Sequence, residues 1–202
     1  MIAVVAGLVA GAAHALSGPD HVAAVLPFAA EDRASAVRTG LSWGVGHGLG
    51  VMGLGAVGLA LRAVVDVHAL SGWAEGLVGV ALIGTGVYAV SRALGRDVPH
   101  THAPHAALGV GVLHGAAGGA HLSAALVALA LPWPSAVGWL VAFLVGATVA
   151  MGGVGLAVTR GGSSVTPAAW GRARLGFGAL SVGVGTWWLG AAFASTAGAS
   201  SL

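Results

Sequence analysis

Apolar residues run along this chain in long blocks separated by short polar punctuation. Six blocks approach or exceed the roughly 20 residues that a helix needs to cross a hydrocarbon core. They fall at about 4–29, 39–61, 73–91, 107–131, 136–159 and 173–195. Between them lie "EDRAS", "RALGRDVPHTHAPH", "PWPS" and "RGGSSVTPAAWGR". The pattern predicts an all-α integral membrane protein with six transmembrane helices.

The blocks repeat at an offset of 100 residues. Leu8, Gly11, His14, Gly18 and His21 recur as Leu108, Gly111, His114, Gly118 and His121. Ser35–Val37 recurs as Ser135–Val137, and Gly46, Gly53 and Gly55 as Gly146, Gly153 and Gly155. Glycine matches are cheap in a chain with 36 glycines, but only nine histidines are available to produce two histidine matches. Three predicted spans per half make the second half enter the membrane upside down. That is the inverted-repeat plan of many secondary transporters, with a binding site near the midplane on broken helices. The whole chain, 1–202, reads as one transmembrane domain, with repeat 1 over about 1–99 and repeat 2 over about 100–202.

Composition sharpens this reading. The chain is 57% hydrophobic and 7% charged, with a mean hydropathy of +0.93, whereas a soluble domain carries roughly 25% charged residues. A soluble protein is excluded on that ground, and eight arginines with no lysine are too few for a nucleic-acid surface. The absence of cysteine removes disulfides and thiolate metal sites. The N-terminal block lacks a positive leader and reads as a first span rather than a cleaved signal. Arg33, Arg38, Arg92, Arg96, Arg160, Arg172 and Arg174 follow spans one, three and five, while Arg62 alone lies on the other side. The positive-inside rule makes the arginine-rich side cytoplasmic and puts both termini outside.

Ionisable groups within the blocks are costly and therefore point to function. His14, Asp20, His21, His47, His114 and His121 are the candidate metal-binding residues. Gly18-Pro19 lies between His14 and His21, and proline removes a backbone donor there, so the first helix is expected to break. The fourth block repeats the design with glycines, "HGAAGGAH", and is expected to break likewise. Imidazole with carboxylate suits first-row divalent metals. Chain direction places His14 and His121 on an outer level and Asp20, His21, His47 and His114 on an inner one, about 10 Å apart on regular helices. His100, His102 and His105 form a His-rich loop, equally readable as weak metal binding or a solvated segment. Trp73, Trp133 and Trp170, near span ends, read as interface anchors.

"HALSGPDH" at 14–21, "GVGHG" at 44–48 and "HGAAG" at 114–118 resemble the nickel/cobalt transporter superfamily, most nearly its six-span branch related to the urease accessory membrane protein UreH. The resemblance implies that His14, Asp20 and His21 handle the metal with His47 assisting. It implies a secondary transporter of Ni²⁺, or of Co²⁺, in a prokaryotic cell (inner) membrane. Uptake for nickel enzymes such as urease would follow, with nickel-enzyme maturation proteins as possible partners. No resident cofactor, nucleic-acid partner or enzymatic activity is expected. Efflux by the same residues is one alternative, and a membrane electron carrier holding haem on paired histidines is another. An intramembrane enzyme is a weak one, since no H-E-x-x-H or G-x-S-x-G is present.

Overall fold

The computed structural model describes residues 1–61, 67–97, 102–117, 127 and 130–199, with side chains over 1–53, 75–97, 102–117, 127 and 130–194. The described residues form seven helices and the protein is all-α. These are α1 (Ile2–Ser17), α2 (Pro19–Glu31), α3 (Ala36–Leu61), α4 (Val67–Ala93), α5 (Ala103–Ala116), α6 (Trp133–Ser163) and α7 (Pro167–Ala199). Such Val- and Gly-rich blocks are mediocre helix formers in water. In apolar surroundings the helix is favoured because it satisfies every backbone donor and acceptor within the segment. Proline occupies the first turn of α2, α5 and α6, where its missing N–H costs nothing.

The first apolar block is not one helix. Pro19 disfavours the α conformation in the residue before it, and Gly18 is extended at φ −80°, ψ 111°. The axes of α1 and α2 differ by 73° across this break. Nine of the thirteen α2 residues are buried. This short helix packs against α3, α4, α5, α6 and α7, so it runs through the middle of the bundle. The fourth block begins the same way. Helix α5 ends at Ala116 with Ala117 extended, and the Ala117 N–H donates to the His114 carbonyl as the Gly18 N–H donates to that of His14. Residues 118–126, including the rest of that expected break, lie outside the described residues.

The principal helix pairs are α1 with α6, α3 with α5, α3 with α6, and α4 with α7. Contacts recur at the 100-residue offset. A Cβ on Gly11 would collide with the Phe143 carbonyl, and one on Gly111 with the Trp43 carbonyl. Gly146 is likewise blocked by the Leu8 carbonyl and Gly46 by that of Leu108. Small residues let these backbones approach closely, which is how helices associate without a solvent-driven hydrophobic effect. In the α4–α7 pair, the buried Ser181 hydroxyl donates to the Leu82 carbonyl at 2.8 Å.

The hydrophobic pattern predicted six spans; the described residues contain fewer. Three helices are long and apolar enough to cross a membrane, over Glu75–Ala93, Trp133–Ser163 and Pro167–Ala194. The bent pair α1 and α2 makes a fourth if it counts as one span. The difference has a physical source. The described part of α3 is diluted by Arg38, Thr39, Ser42, His47 and several glycines, and α5 has only 14 residues.

The ends of α2, α4 and α6 and the starts of α3, α5 and α7 meet at one end of the bundle. There the Arg33 guanidinium donates to the Gly162 carbonyl and lies over the Trp170 ring, 5.2 Å from its centroid. The Thr159 hydroxyl donates to the Arg33 carbonyl at 2.9 Å. Glu31 accepts the Tyr88 hydroxyl at 2.7 Å and lies 3.4 Å from Arg92 Nε. Glu31, Asp32, Ser35, Arg38, Arg92 and His102 line a cavity of about 400 Å³ at this arginine-bearing end.

Candidate metal centre

Four helices deliver five ligand-type side chains to one place. His14 comes from the last turn of α1, Asp20 and His21 from the first turn of α2, His47 from the middle of α3, and His114 from the last turn of α5. His21, His47 and His114 are almost fully buried, Asp20 is buried, and His14 is half-buried. The His21 ring lies 4.7 Å from that of His14, 5.3 Å from His47 and 4.8 Å from His114, between centroids. Asp20 Oδ2 is 2.8 Å from His114 Nε2, a hydrogen-bond distance, and Asp20 Oδ1 is 3.6 Å from His21 Nδ1.

These donors fall into two overlapping sets. His14, His21 and His47 offer three atoms within 4.8 Å of one another, and so do Asp20, His21 and His114. His21 belongs to both. A tetrahedral ion with bonds of about 2.0–2.2 Å holds its donors roughly 3.4 Å apart, so either set would close on an ion by rotations that move donor atoms about 1 Å. Four imidazoles and one carboxylate form a borderline-to-hard donor set, which suits first-row divalent ions and not soft Cu(I).

Gly18 makes the arrangement possible. A Cβ there would run into the His21 ring and lie 2.7 Å from Asp20 Oδ1. Both side chains fold back over the break, and the space they use is the space an alanine methyl would take.

The expected two levels are therefore corrected. His14 is not an outer station about 10 Å from His21, because the 73° bend turns the start of α2 back towards the end of α1. His121 lies outside the described residues, as does His100. His102 and His105, with rings 5.9 Å apart, stand at the arginine-bearing end and do not join the cluster. Trp133 is exposed, as an interface anchor would be, whereas Trp170 is engaged by Arg33.

Aromatic residues that the sequence reading passed over surround the cluster. Trp43 stacks on His47 with centroids 4.9 Å apart and planes 10° apart, and it lies 5.4 Å from both His21 and His114. Phe143 is 5.5 Å from His14, and Trp188 is 5.7 Å from His114. A signal did exist. Trp43 and Phe143 occupy equivalent repeat positions, one helical turn before His47 and its mate Ala147.

Two curated proteins of Arabidopsis thaliana are similar to this chain. Chloroplast protein FOR GROWTH AND FERTILITY 1 is 32% identical over 170 residues, covering 72% of this chain and 46% of the relative. Chloroplast protein FOR GROWTH AND FERTILITY 2 is 30% identical over 164 residues, covering 72% and 44%. The chain thus spans less than half the length of the curated relatives it matches. No family model matches, and no solved structure matches.

These relatives overturn three expectations. The resemblance to the nickel/cobalt transporter superfamily and its UreH-like branch gives way to similarity with the two chloroplast proteins. The assignment of nickel or cobalt loses its basis, because it came from that resemblance. The prokaryotic cell membrane is replaced by a chloroplast setting in the relatives, and the cytoplasmic face and external termini defined against that membrane fall with it. The three short motifs at 14–21, 44–48 and 114–118 misled here because they cover little of the chain, whereas the alignments run over 72% of it. By sequence, then, the chain is similar to the chloroplast proteins FOR GROWTH AND FERTILITY 1 and 2.

Proposed function

We propose that the protein is a membrane-embedded carrier of a divalent first-row transition-metal ion, with His14, Asp20, His21, His47 and His114 as the transient binding station. One observation carries this reading: two three-donor sets share His21 within a buried cluster. A structural metal site closes four ligands around its ion. Here each set supplies three, and an ion held by one can be passed to the other by turning a single imidazole. The surroundings support the same reading. Ionisable side chains inside an apolar bundle are expensive and are retained where an ion passes, and irregular backbone such as that at Gly18 is tolerated at depth where it lines such a path.

The architecture that goes with this function is two inverted repeats of three crossings each, the first opened by the broken α1–α2 helix. The glycine contacts at equivalent positions of the two halves support it. Exposed Val5, Val9, Val45, Leu49, Val80, Val149 and Phe193 give the outside of the bundle the apolar surface a bilayer would cover. The setting of the relatives makes a chloroplast membrane the proposed site of action. The chain contains no lysine and hence no phosphate-binding G-x-x-x-x-G-K motif. The driving force is then an ion gradient, a partner protein, or the membrane potential, worth about 2.3 kcal/mol per charge per 100 mV.

The test is flux into sealed proteoliposomes carrying an internal metal-sensitive dye. Mn²⁺, Fe²⁺, Co²⁺, Ni²⁺, Cu²⁺ and Zn²⁺ are supplied one at a time, each against Asp20→Asn and His21→Ala. Flux of at least one ion, abolished by both substitutions, is expected, and its sign under an imposed potential gives direction. Folded protein that neither binds nor moves any of the six would end the proposal.

A further inference from the structure

Trp43 and Phe143 are equivalent in the two repeats, and the structure puts both rings against the histidine cluster. Chain direction places them on opposite sides of it. Helix α3 starts at the arginine-bearing end, so Trp43, four residues before His47, lies about 6 Å nearer that end. Helix α6 runs the other way, from Trp133 towards Arg160, so Phe143 lies on the side of Ala147 that faces away from the arginines. Trp43 is fully buried and Phe143 is 8% exposed.

Each ring is also tied to a ligand-bearing helix. The Phe143 carbonyl is seated on Gly11, one turn before His14 on α1. The Trp43 carbonyl is seated on Gly111, one turn before His114 on α5. Contacts this close leave no room for helices to slide independently. Helices α3 and α6 are locked in the same way, Gly40 against the Met151 carbonyl and Gly155 against that of Ala36, so the four helices form one frame in which each ring can move only by turning its own side chain.

Building on the carrier reading, we infer that Trp43 and Phe143 are paired gates. Trp43 closes the metal station towards the arginine-bearing end and Phe143 closes it towards the opposite end. Turning one ring aside opens one side and leaves the other shut, because the two rings stand on different helices at different levels of the station. Neither ring supplies a ligand atom. Their role is to exclude water and ions from one face while the station is open to the other, as closing elements do in enzymes.

The absence of native cysteine makes access measurable without background. Ala147 is buried beside Phe143 and is the repeat mate of His47, so Ala147→Cys places a single thiol at the station. Labelling by a charged, membrane-impermeant methanethiosulfonate is followed from each side of sealed vesicles. Arg96→Cys, exposed in the α4–α5 link, identifies the arginine-bearing face. With both rings present, labelling is slow from both sides. Phe143→Ala should accelerate it roughly tenfold or more from the face opposite the marker only, and Trp43→Ala from the marker face only. Trp43→Phe and Phe143→Trp should keep it slow. If the alanine variants fail to fold, Trp43→Leu and Phe143→Leu carry the same expectation. Acceleration from the wrong face, from both faces or from neither overturns the inference, as does fast labelling of the aromatic exchanges. The readout uses no metal, so failure of the gates is separable from failure of metal flux.

Discussion

Replacing Gly18 with alanine separates the two jobs of the helix break. The backbone at φ −80°, ψ 111° accepts alanine without strain, so the perturbation is steric alone. The new methyl would overlap the His21 ring and crowd Asp20 Oδ1 at 2.7 Å. Overpacking a core costs about 1–3 kcal/mol when the surroundings cannot yield. Here the obstructing atoms are side-chain ends that can rotate away, and losing glycine's unfolded-state entropy returns about 0.4–1 kcal/mol. The net stability change should be within about 1 kcal/mol of zero. Binding is where the loss appears. Rotating His21 away removes the donor common to both sets, and even partners behind a metal ligand are worth 10–100-fold in affinity, so a loss of about 100-fold or more is expected. Gly11→Ala supplies the contrast, because its obstruction is the Phe143 backbone carbonyl, which cannot rotate away. That variant should lose about 2–3 kcal/mol of stability. Thermal unfolding in detergent by circular dichroism and metal titration by calorimetry measure the two quantities. Wild-type metal affinity in folded Gly18→Ala, or a Gly11→Ala variant more stable than Gly18→Ala, would refute the reasoning.

Three further outcomes are expected. Asp20→Asn preserves shape but removes the carboxylate that the described residues bring to the cluster; it should weaken divalent-ion binding by at least about tenfold in calorimetry, since charge-assisted contacts are about twice as strong as neutral ones. Tyr88→Phe deletes the 2.7 Å hydrogen bond to Glu31 and should cost about 1–2 kcal/mol in thermal unfolding, without changing metal affinity. Arg33→Ala removes both the Gly162 hydrogen bond and the Trp170 contact; a loss of about 1–3 kcal/mol is expected, with Arg33→Lys recovering only part, because lysine lacks the planar fork.

Much of the helical plan is readable locally. The blocks predicted at 39–61, 73–91, 136–159 and 173–195 correspond to α3, α4, α6 and α7, each beginning three to six residues earlier than expected. A hydrophobicity pattern cannot see the polar first turn of a helix, and the prolines at or near the starts of α6 and α7 are the better markers. The break at Gly18-Pro19 is also local chemistry, since proline restricts its predecessor whatever lies around it. The number of spans was less legible. The hydropathy of a block does not reveal that half of it turns 73° into the middle of the bundle.

The sequence by itself determined that the chain is helical and apolar, that it repeats at 100 residues, and that a small set of histidines with one aspartate stands out from its surroundings. Composition and spacing are properties of the chain and need no partners to be read. Only the tertiary structure decided that His14 and His21 belong to one centre rather than two levels, that His21 is shared, and that Trp43 and Phe143 flank the cluster. Those facts depend on a bend angle and on the closeness of helix pairs. Both are set by which backbone meets which glycine across the bundle, and no single stretch of sequence contains that information.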